Sequence, residues 1–227
     1  VTRILVIDVG GTFIKYRVTG NDKESFPSGP EMTAAEACRG VLERIPPDSF
    51  DAVTIGYPGP VKDGCIVQEP ELLGAGWVRA DYRLIFGKPV RIVNDAAMQA
   101  MGAYRGSRML FLGLGTGLGT CLISNFAIVS LELANLPYRG LGRLHSYGGY
   151  LGIRSLNEAG RSHGEWTEAV WHVAELLKDA LVADEVVIGG GNANHLKEFP
   201  EWARRGNNED ALRGGELLWA DARFKIV

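Results

Sequence analysis

The segment Ile4-Leu5-Val6-Ile7-Asp8-Val9-Gly10-Gly11-Thr12-Phe13-Ile14-Lys15 decides how the rest of the chain is read. Its run of aliphatic residues, Ile4 to Ile7, predicts a buried strand. The strand leads into an acid, two glycines and a hydroxyl residue, and a second apolar run begins at once. That order predicts a β-hairpin with its tight turn at Gly10-Gly11. Adjacent glycines let backbone N–H groups point at one spot without Cβ obstruction, which suits a phosphate. Thr12 adds a hydroxyl donor, and Asp8 a carboxylate able to hold Mg2+ through water. Glycine turns also close hairpins that bind nothing, so the segment alone leaves both readings open.

Working outward, Thr33-Ala34-Ala35-Glu36 is a capping box. Ala34, Ala37, Cys38, Val41, Leu42 and Ile45 follow at helical spacing, and Pro46-Pro47 stops the helix. Phe50 to Ile55 predicts a strand ending in Gly56-Tyr57-Pro58-Gly59-Pro60, and Cys65 to Trp77 reads as irregular. A short helix over 81–86 and a strand over 89–93 come next, with Asn94-Asp95 at the strand's carboxyl end and a helix over 96–104. Ligands of α/β folds gather at strand carboxyl ends, so Asn94-Asp95 stands where chemistry is expected. On its residues alone, Asp95 reads as a helix N-cap and Asn94 as a turn amide.

The opening pattern then returns. Met109 to Leu112 predicts a strand, Gly113-Leu114-Gly115-Thr116-Gly117-Leu118-Gly119-Thr120 a glycine turn, and Cys121 to Ser124 the returning strand. Residues 164–181 carry the longest amphipathic pattern, on Trp166, Ala169, Val170, Val173, Leu177, Ala180 and Leu181. A strand over 185–188 runs into Gly189-Gly190-Gly191-Asn192, and 211–219 predicts a last helix.

Composition sets bounds on function. A chain of 227 residues can bury a sizeable core in one or two domains. A net charge of −3 offers no basic surface for nucleic acid. The 30 glycines cluster at 10–11, 113–119, 148–152 and 189–191, which points to several backbone-lined loops. Cys38, Cys65 and Cys121 are scattered; they predict no disulfide framework and no metal-ligand pair, and buried thiols in a reducing cytosol are expected. No secretory signal precedes the first strand and no apolar run approaches a membrane span, so a soluble cytoplasmic protein with no membrane partner is expected.

Three of these segments resemble one family in order. Asp8-x-Gly10-Gly11-Thr12-x-x-Lys15, the Gly115-Thr116-Gly117 loop and Gly189-Gly190-Gly191-Asn192 are similar to the phosphate-1, phosphate-2 and adenosine motifs of the actin-like sugar kinases. The closer likeness is to the ROK group, and within it to the bacterial polyphosphate glucokinases. It rests on Ile55-Gly56-x-Pro58-Gly59, Gly74-x-Gly76-Trp77, Asn94-Asp95-Ala96, Leu131-Glu132-Leu133, Leu136-Pro137-Tyr138-Arg139 and Gly214-Gly215-x-Leu217-x-Trp219. The resemblance spans nearly the whole chain, and the motifs weigh more together than singly.

The resemblance implies an α/β, two-lobed ribonuclease-H-like (actin-like ATPase) fold with a central cleft. One lobe would be 1–93 with a helix from 205–227 packing back on it, and the other 94–204. It implies transfer of a phosphoryl group from ATP or polyphosphate to a glucose-like hexose, with Mg2+, no structural zinc and a homodimer. Asp95 becomes the general base. Gly10, Gly11, Thr12, Lys15, Gly115, Thr116 and Gly117 hold phosphates, and Asp8 holds Mg2+. Gly189, Gly190, Gly191 and Asn192 meet the nucleotide, and Pro58, Gly59, Asn94, Glu132 and Asn135 lie by the sugar.

Two departures thin the sugar site. Where the family has Glu-x-Gly-His, this chain has Glu132-Leu133-Ala134-Asn135, and a further sugar-binding glutamate falls at Gly148. Losing two such contacts costs a few kcal/mol at ~1.5–3 each. A non-catalytic sugar- or nucleotide-binding relative and an unrelated activity on the same scaffold are therefore weighed beside the kinase. A repressor is not expected, since no helix-turn-helix precedes the first strand. Arg79, Arg83, Lys88, Arg105 and Arg108 would either extend the phosphate site for polyphosphate or form a solvated face.

Overall fold

The computed structural model of the chain describes residues 2–140, 143–152, 161–207 and 209–227. The opening hairpin is as read: β1 (Ile4–Val9) pairs antiparallel with β2 (Phe13–Val18). All six residues of β1 are buried, whereas β2 alternates between core and surface. A central strand needs apolar groups on both faces, and a strand nearer the edge needs them on one.

Two compact units make up the chain: residues 1–102 with 211–222, and residues 103–210 with 223–227. The first holds a sheet in the order β3-β2-β1-β4-β7, with β3 at Glu24–Pro27, β4 at Ala52–Tyr57 and β7 at Val90–Asn94. The β1, β4 and β7 strands run parallel. Helices α1 (Ala34–Leu42), α2 (Tyr82–Phe86) and, apart from its last residue, α3 (Asp95–Ala103) belong to this unit. Thr33 and Glu36 form the predicted capping box. Helix α1 stops at Leu42, but Ile45 still enters the core.

The Asp210–Ala220 helix also packs in the first unit, apart from its first residue. A Cβ on Gly214 would fall 1.8 Å from the Met98 carbonyl oxygen, and one on Gly215 2.3 Å from a Val6 methyl. The two glycines let the helix lie flush on α3 and β1. The stretch read as irregular opens on a strand, β6 (Cys65–Ile66), which pairs with β5 (Val61–Lys62) in a small hairpin. Its turn, Asp63-Gly64, has φ of 51° and 73°, the left-handed pair that an Asp-Gly step favours. Cys65 is exposed there, against the expectation of a buried thiol, because the short strand turns Ile66 inward and Cys65 outward. Cys38 and Cys121 are buried, and burial pushes the Cys38 thiol up to about 12.

The second unit holds a sheet in the order β14-β13-β8-β9-β10-β15. Its members are β8 (Met109–Leu114), β9 (Leu118–Ser124), β10 (Ala127–Leu131), β13 (Glu185–Gly189), β14 (Ala203–Arg205) and β15 (Lys225–Ile226). A separate hairpin, β11 (Pro137–Gly140) with β12 (Arg143–Ser146), leads into α4 (Tyr147–Leu151). Helix α5 (His163–Ala180) buries Trp166, Ala169, Val170, Val173, Ala174 and Leu177. Ala180, placed on that stripe from spacing, is exposed at the helix end. Among the described residues no helix is long and apolar enough to cross a membrane.

Candidate active site

The register of the parallel strands in the first unit sets Asp8 beside Gly56, and Tyr57 beside Asn94. The carboxyl ends of β1, β4 and β7 are therefore neighbours. Each carries predicted site residues: Asp8 to Thr12, Pro58-Gly59, and Asn94-Asp95. A Cβ on Gly56 would sit 3.7 Å from the Asp95 Cα, which measures how closely β4 and the start of α3 approach.

At β1, Asp8 is buried and lies opposite Lys15 in the hairpin register. The Lys15 Nζ is 3.8 Å from Asp8 Oδ2. Burial pushes the Asp8 carboxyl above its ordinary value, and the neighbouring Lys15 charge only partly offsets this. The turn beyond it is closed by the Gly10 N–H donating to Phe13 O at 3.1 Å. A Cβ on Gly10 would stand 2.8 Å from that oxygen, and one on Gly11 3.0 Å from the Leu72 Cβ. Close approach, not a left-handed backbone, demands glycine here.

Ser28 fixes the turn from the other side. Its Oγ donates to Gly10 O at 2.6 Å, and its N–H donates to Thr12 O at 2.9 Å. With those carbonyls held, the N–H groups of Gly11 and Thr12 and the exposed Thr12 hydroxyl are the donors the turn can present to an anion. No sequence motif marks Ser28. The β2–β3 register, which pairs Phe13 with Pro27, brings it to the turn.

At β7, the helix cap falls on Asn94 instead of Asp95. The Asn94 Oδ1 accepts the Ala97 N–H at 3.1 Å, and its Nδ2 donates to Gly59 O at 3.1 Å. One buried side chain thus starts α3 and ties down the Pro58-Gly59 loop. Asp95 is the first residue of α3 and half-buried, with Oδ1 accepting the Ala96 N–H at 2.7 Å.

In the second unit, β8 and β9 meet in the Gly115-Thr116-Gly117 turn, where the Gly115 N–H donates to Gly117 O at 3.1 Å. Parallel pairing sets Gly189 beside Gly113, so the Gly190-Gly191-Asn192 turn follows next to Gly115. Asn192 Nδ2 donates to Gly115 O at 2.8 Å and braces the turn. Gly190 has φ +81°, and a Cβ there would fall 2.3 Å from Leu114 O. A Cβ on Gly152 would fall 2.4 Å from Thr116 O.

Glu132 and Asn135 are exposed, flanking a 3-10 turn over Leu133–Asn135 in which the Asn135 N–H donates to Glu132 O at 3.1 Å. Buried Thr120 positions this turn: its hydroxyl donates to Leu131 O at 2.7 Å and accepts from the Leu133 N–H at 3.2 Å. Gly148, in α4, faces Ala134, whose Cβ would be 3.1 Å from a Cβ at 148.

Four of the basic residues considered for polyphosphate stand elsewhere. Arg83 and Lys88 line a cleft at the amino end of β7, and Arg105 and Arg108 precede β8. Each pair is a strand length from its unit's loops, about 13 Å along β7 and about 17 Å along β8. Among the described residues no three His, Cys, Asp or Glu side chains form a metal-ligating cluster. A cation here would rest on Asp8, water and phosphate oxygens, the mode that suits Mg2+. Buried Asp8, its carboxyl poorly compensated by Lys15, fits such an ion.

No known family model matches the chain, and no curated protein matches it by sequence. Its fold is that of solved ROK-family sugar kinases, an actin-like ATPase fold. An inorganic polyphosphate/ATP-glucomannokinase from Arthrobacter sp. strain KM superposes with a TM-score of 0.78 at 20% identity, over 97% of this chain and 99% of that one. A ROK-family glucokinase from Streptomyces griseus, in complex with glucose and AMPPNP, gives 0.68 at 17% identity, over 95% and 98%. A ROK-family transcriptional regulator, a homologue of the E. coli MLC protein, gives 0.69 at 11% identity, over 95% of this chain and 77% of that one. Kinases and a regulator share the fold, so the site must choose between them.

Proposed function

We propose that the protein is a sugar kinase that transfers the terminal phosphoryl group of ATP or polyphosphate to the 6-hydroxyl of a glucose-like hexose. The observation that carries this reading is the convergence, at three adjacent strand ends of the first unit, of Asp8, the Gly10–Thr12 turn, the Pro58-Gly59 loop and Asp95. A binding module needs a sugar pocket alone. A kinase also needs an anion cradle, a cation ligand and a base.

In this reading the Asp95 carboxylate takes the proton of the sugar hydroxyl late in transfer. The Gly11 and Thr12 N–H groups, the Thr12 hydroxyl and Lys15 hold the donor's terminal phosphates. Mg2+, when bound through water to Asp8, neutralises charge on the phosphoryl oxygens. Asn94 and the Pro58-Gly59 loop it anchors position the sugar; the second amide hydrogen of Asn94 is the one to meet a hydroxyl. In the second unit, Gly115-Thr116-Gly117 holds phosphates, Gly189 to Gly191 with Asn192 meets the adenosine, and Glu132 and Asn135 contact the sugar. The two compact units are the two lobes of this reading. Polyphosphate as donor is supported by the Arthrobacter neighbour alone, whose name includes it.

The test is release of ADP, or loss of polyphosphate, across a panel of hexoses with each donor. Sugar-dependent turnover is expected, with weak use of glucose because of Asn135 and Gly148. Turnover indifferent to sugar would replace the reading with a hydrolase. Saturable sugar binding without turnover would replace it with a sensor.

A further inference from the structure

The first unit carries a cleft of about 600 Å³ away from the strand ends described above. Arg83, Lys88, Pro89, Arg91 and Trp219 are among its lining residues, and no carboxylate is. Arg83 and Lys88 have no ion-pair partner among the described residues. The carboxylate that feels the Lys88 charge, Asp51, is already paired with Arg3 at 3.1 Å.

One wall of the cleft is rigid. The Arg91 guanidinium lies 4.1 Å from the Trp219 ring centroid and donates to Leu218 O. Trp219 Nε1 donates to Thr54 Oγ1 at 2.8 Å, and that buried hydroxyl donates to Gly215 O at 2.8 Å. The same cleft is lined by Arg83 of α2 and Lys88 of the α2–β7 connection, neither with an ion-pair partner among the described residues.

We propose that this cleft is a second anion site that takes a small phosphate ester. Three cations with no acid in the lining select a phosphoryl group. The volume lies within the range of small-molecule sites and admits a ring beside the phosphate. The cleft opens at the amino end of β7, about 13 Å of strand from Asn94-Asp95, so its ligand is not the one that reacts. The proposal stands on its own residues and does not depend on the kinase reading.

Calorimetric titration of the full chain with fructose 1,6-bisphosphate, and separately with inorganic phosphate, tests it. Both should bind saturably, the sugar bisphosphate more tightly, and both should weaken as salt is raised. The Arg83→Ala/Lys88→Ala double variant should bind the bisphosphate at least about tenfold more weakly, while Lys15→Ala, which removes the cation beside the turn after β1, should bind it as the parent does. Both cations reach solvent, so the double variant should keep its circular dichroism and melting temperature. Absence of binding to the parent overturns the proposal. So does equal affinity in the double variant, or loss of binding in Lys15→Ala, which would return the anion to the turn after β1.

Discussion

Asn94 and Asp95 adjoin at the start of α3, and either residue type could cap it, so their identities alone do not assign the cap. An N-cap needs extended backbone before the helix and an oxygen within reach of the third N–H. Asn94 supplies that oxygen to Ala97 and uses its nitrogen on Gly59. The Asp95→Asn variant should fold and lose about 10²- to 10⁴-fold in kcat; near-parental turnover would reject Asp95 as the base. Asn94→Ala should instead cost about 1–2 kcal/mol of stability in urea denaturation, from the lost cap and loop tie. Asp8 behaves oppositely to most surface acids. Its carboxyl is raised in the folded state, so the native protein binds more protons than the unfolded chain above the ordinary value of 3.8. Stability from this group is present below that value and falls as pH rises through the folded one. Asp8→Asn should therefore raise the melting temperature of the metal-free protein near neutral pH, with the gain shrinking toward pH ~4. The same change should lower Mg2+-dependent turnover by at least about 100-fold. A variant no more stable than the parent at neutral pH would contradict the burial argument.

Elements were legible where one local signal sufficed. Helices α1 and α5 announce themselves by apolar spacing, and both carry capping boxes, Thr33 with Glu36 and Ser162 with Glu165. The two glycine hairpins are visible from strand–turn–strand order. Helix α4 was invisible because it contains Gly148 and Gly149, which disfavour helix. It is held by its surroundings: the Ser146 cap, and Trp166 Nε1 donating to Leu151 O at 3.0 Å. The start of β10 was hidden for a different reason. Its turn places Asn125 and Phe126 at φ 50° and 63°, and Phe is an unusual occupant of that region. Tertiary contact also explains the small residues at 134 and 148. Where the family pattern has glycine and glutamate, this chain has Ala134 facing Gly148, with 3.1 Å between the Ala134 Cβ and a Cβ placed at 148. A larger residue at 148 needs a smaller one at 134. In a double-mutant cycle, Gly148→Ala should be better tolerated in Ala134→Gly than in the parent by at least about 0.5 kcal/mol. For the same reason, Asn135→His with Gly148→Glu should lower the KM for glucose only when Ala134→Gly accompanies them. Additive stabilities, or an unchanged KM in the triple variant, would show that these positions do not correspond to the family's sugar contacts.

At the scale of the whole molecule, direction along a parallel strand separates what sequence proximity runs together. Arg105 and Arg108 lie a few residues from the Gly115-Thr116-Gly117 turn in the chain, which makes them tempting as a track for a long polyanion. But β8 runs from them to the turn, and its length, about 17 Å, keeps them at the amino edge of the sheet. That edge is already supplied with acids. The Arg108 N–H donates to Asp184 Oδ2 at 2.8 Å, Ser107 Oγ donates to Glu185 at 2.7 Å, and Arg204 pairs with Glu185 at 2.9 Å. A polyanion laid there would meet carboxylates as well as cations, and like charges brought together without compensation weaken binding. If polyphosphate is a donor, its terminal groups must be held by the glycine turns, through backbone donors that do not distinguish it strongly from ATP. The Arg105→Ala/Arg108→Ala double variant should therefore keep the parental ratio of polyphosphate- to ATP-dependent turnover within about twofold, at each chain length tried. A selective loss of polyphosphate use would mean that the donor runs back along β8 to the amino edge, and that the charged edge is part of the site.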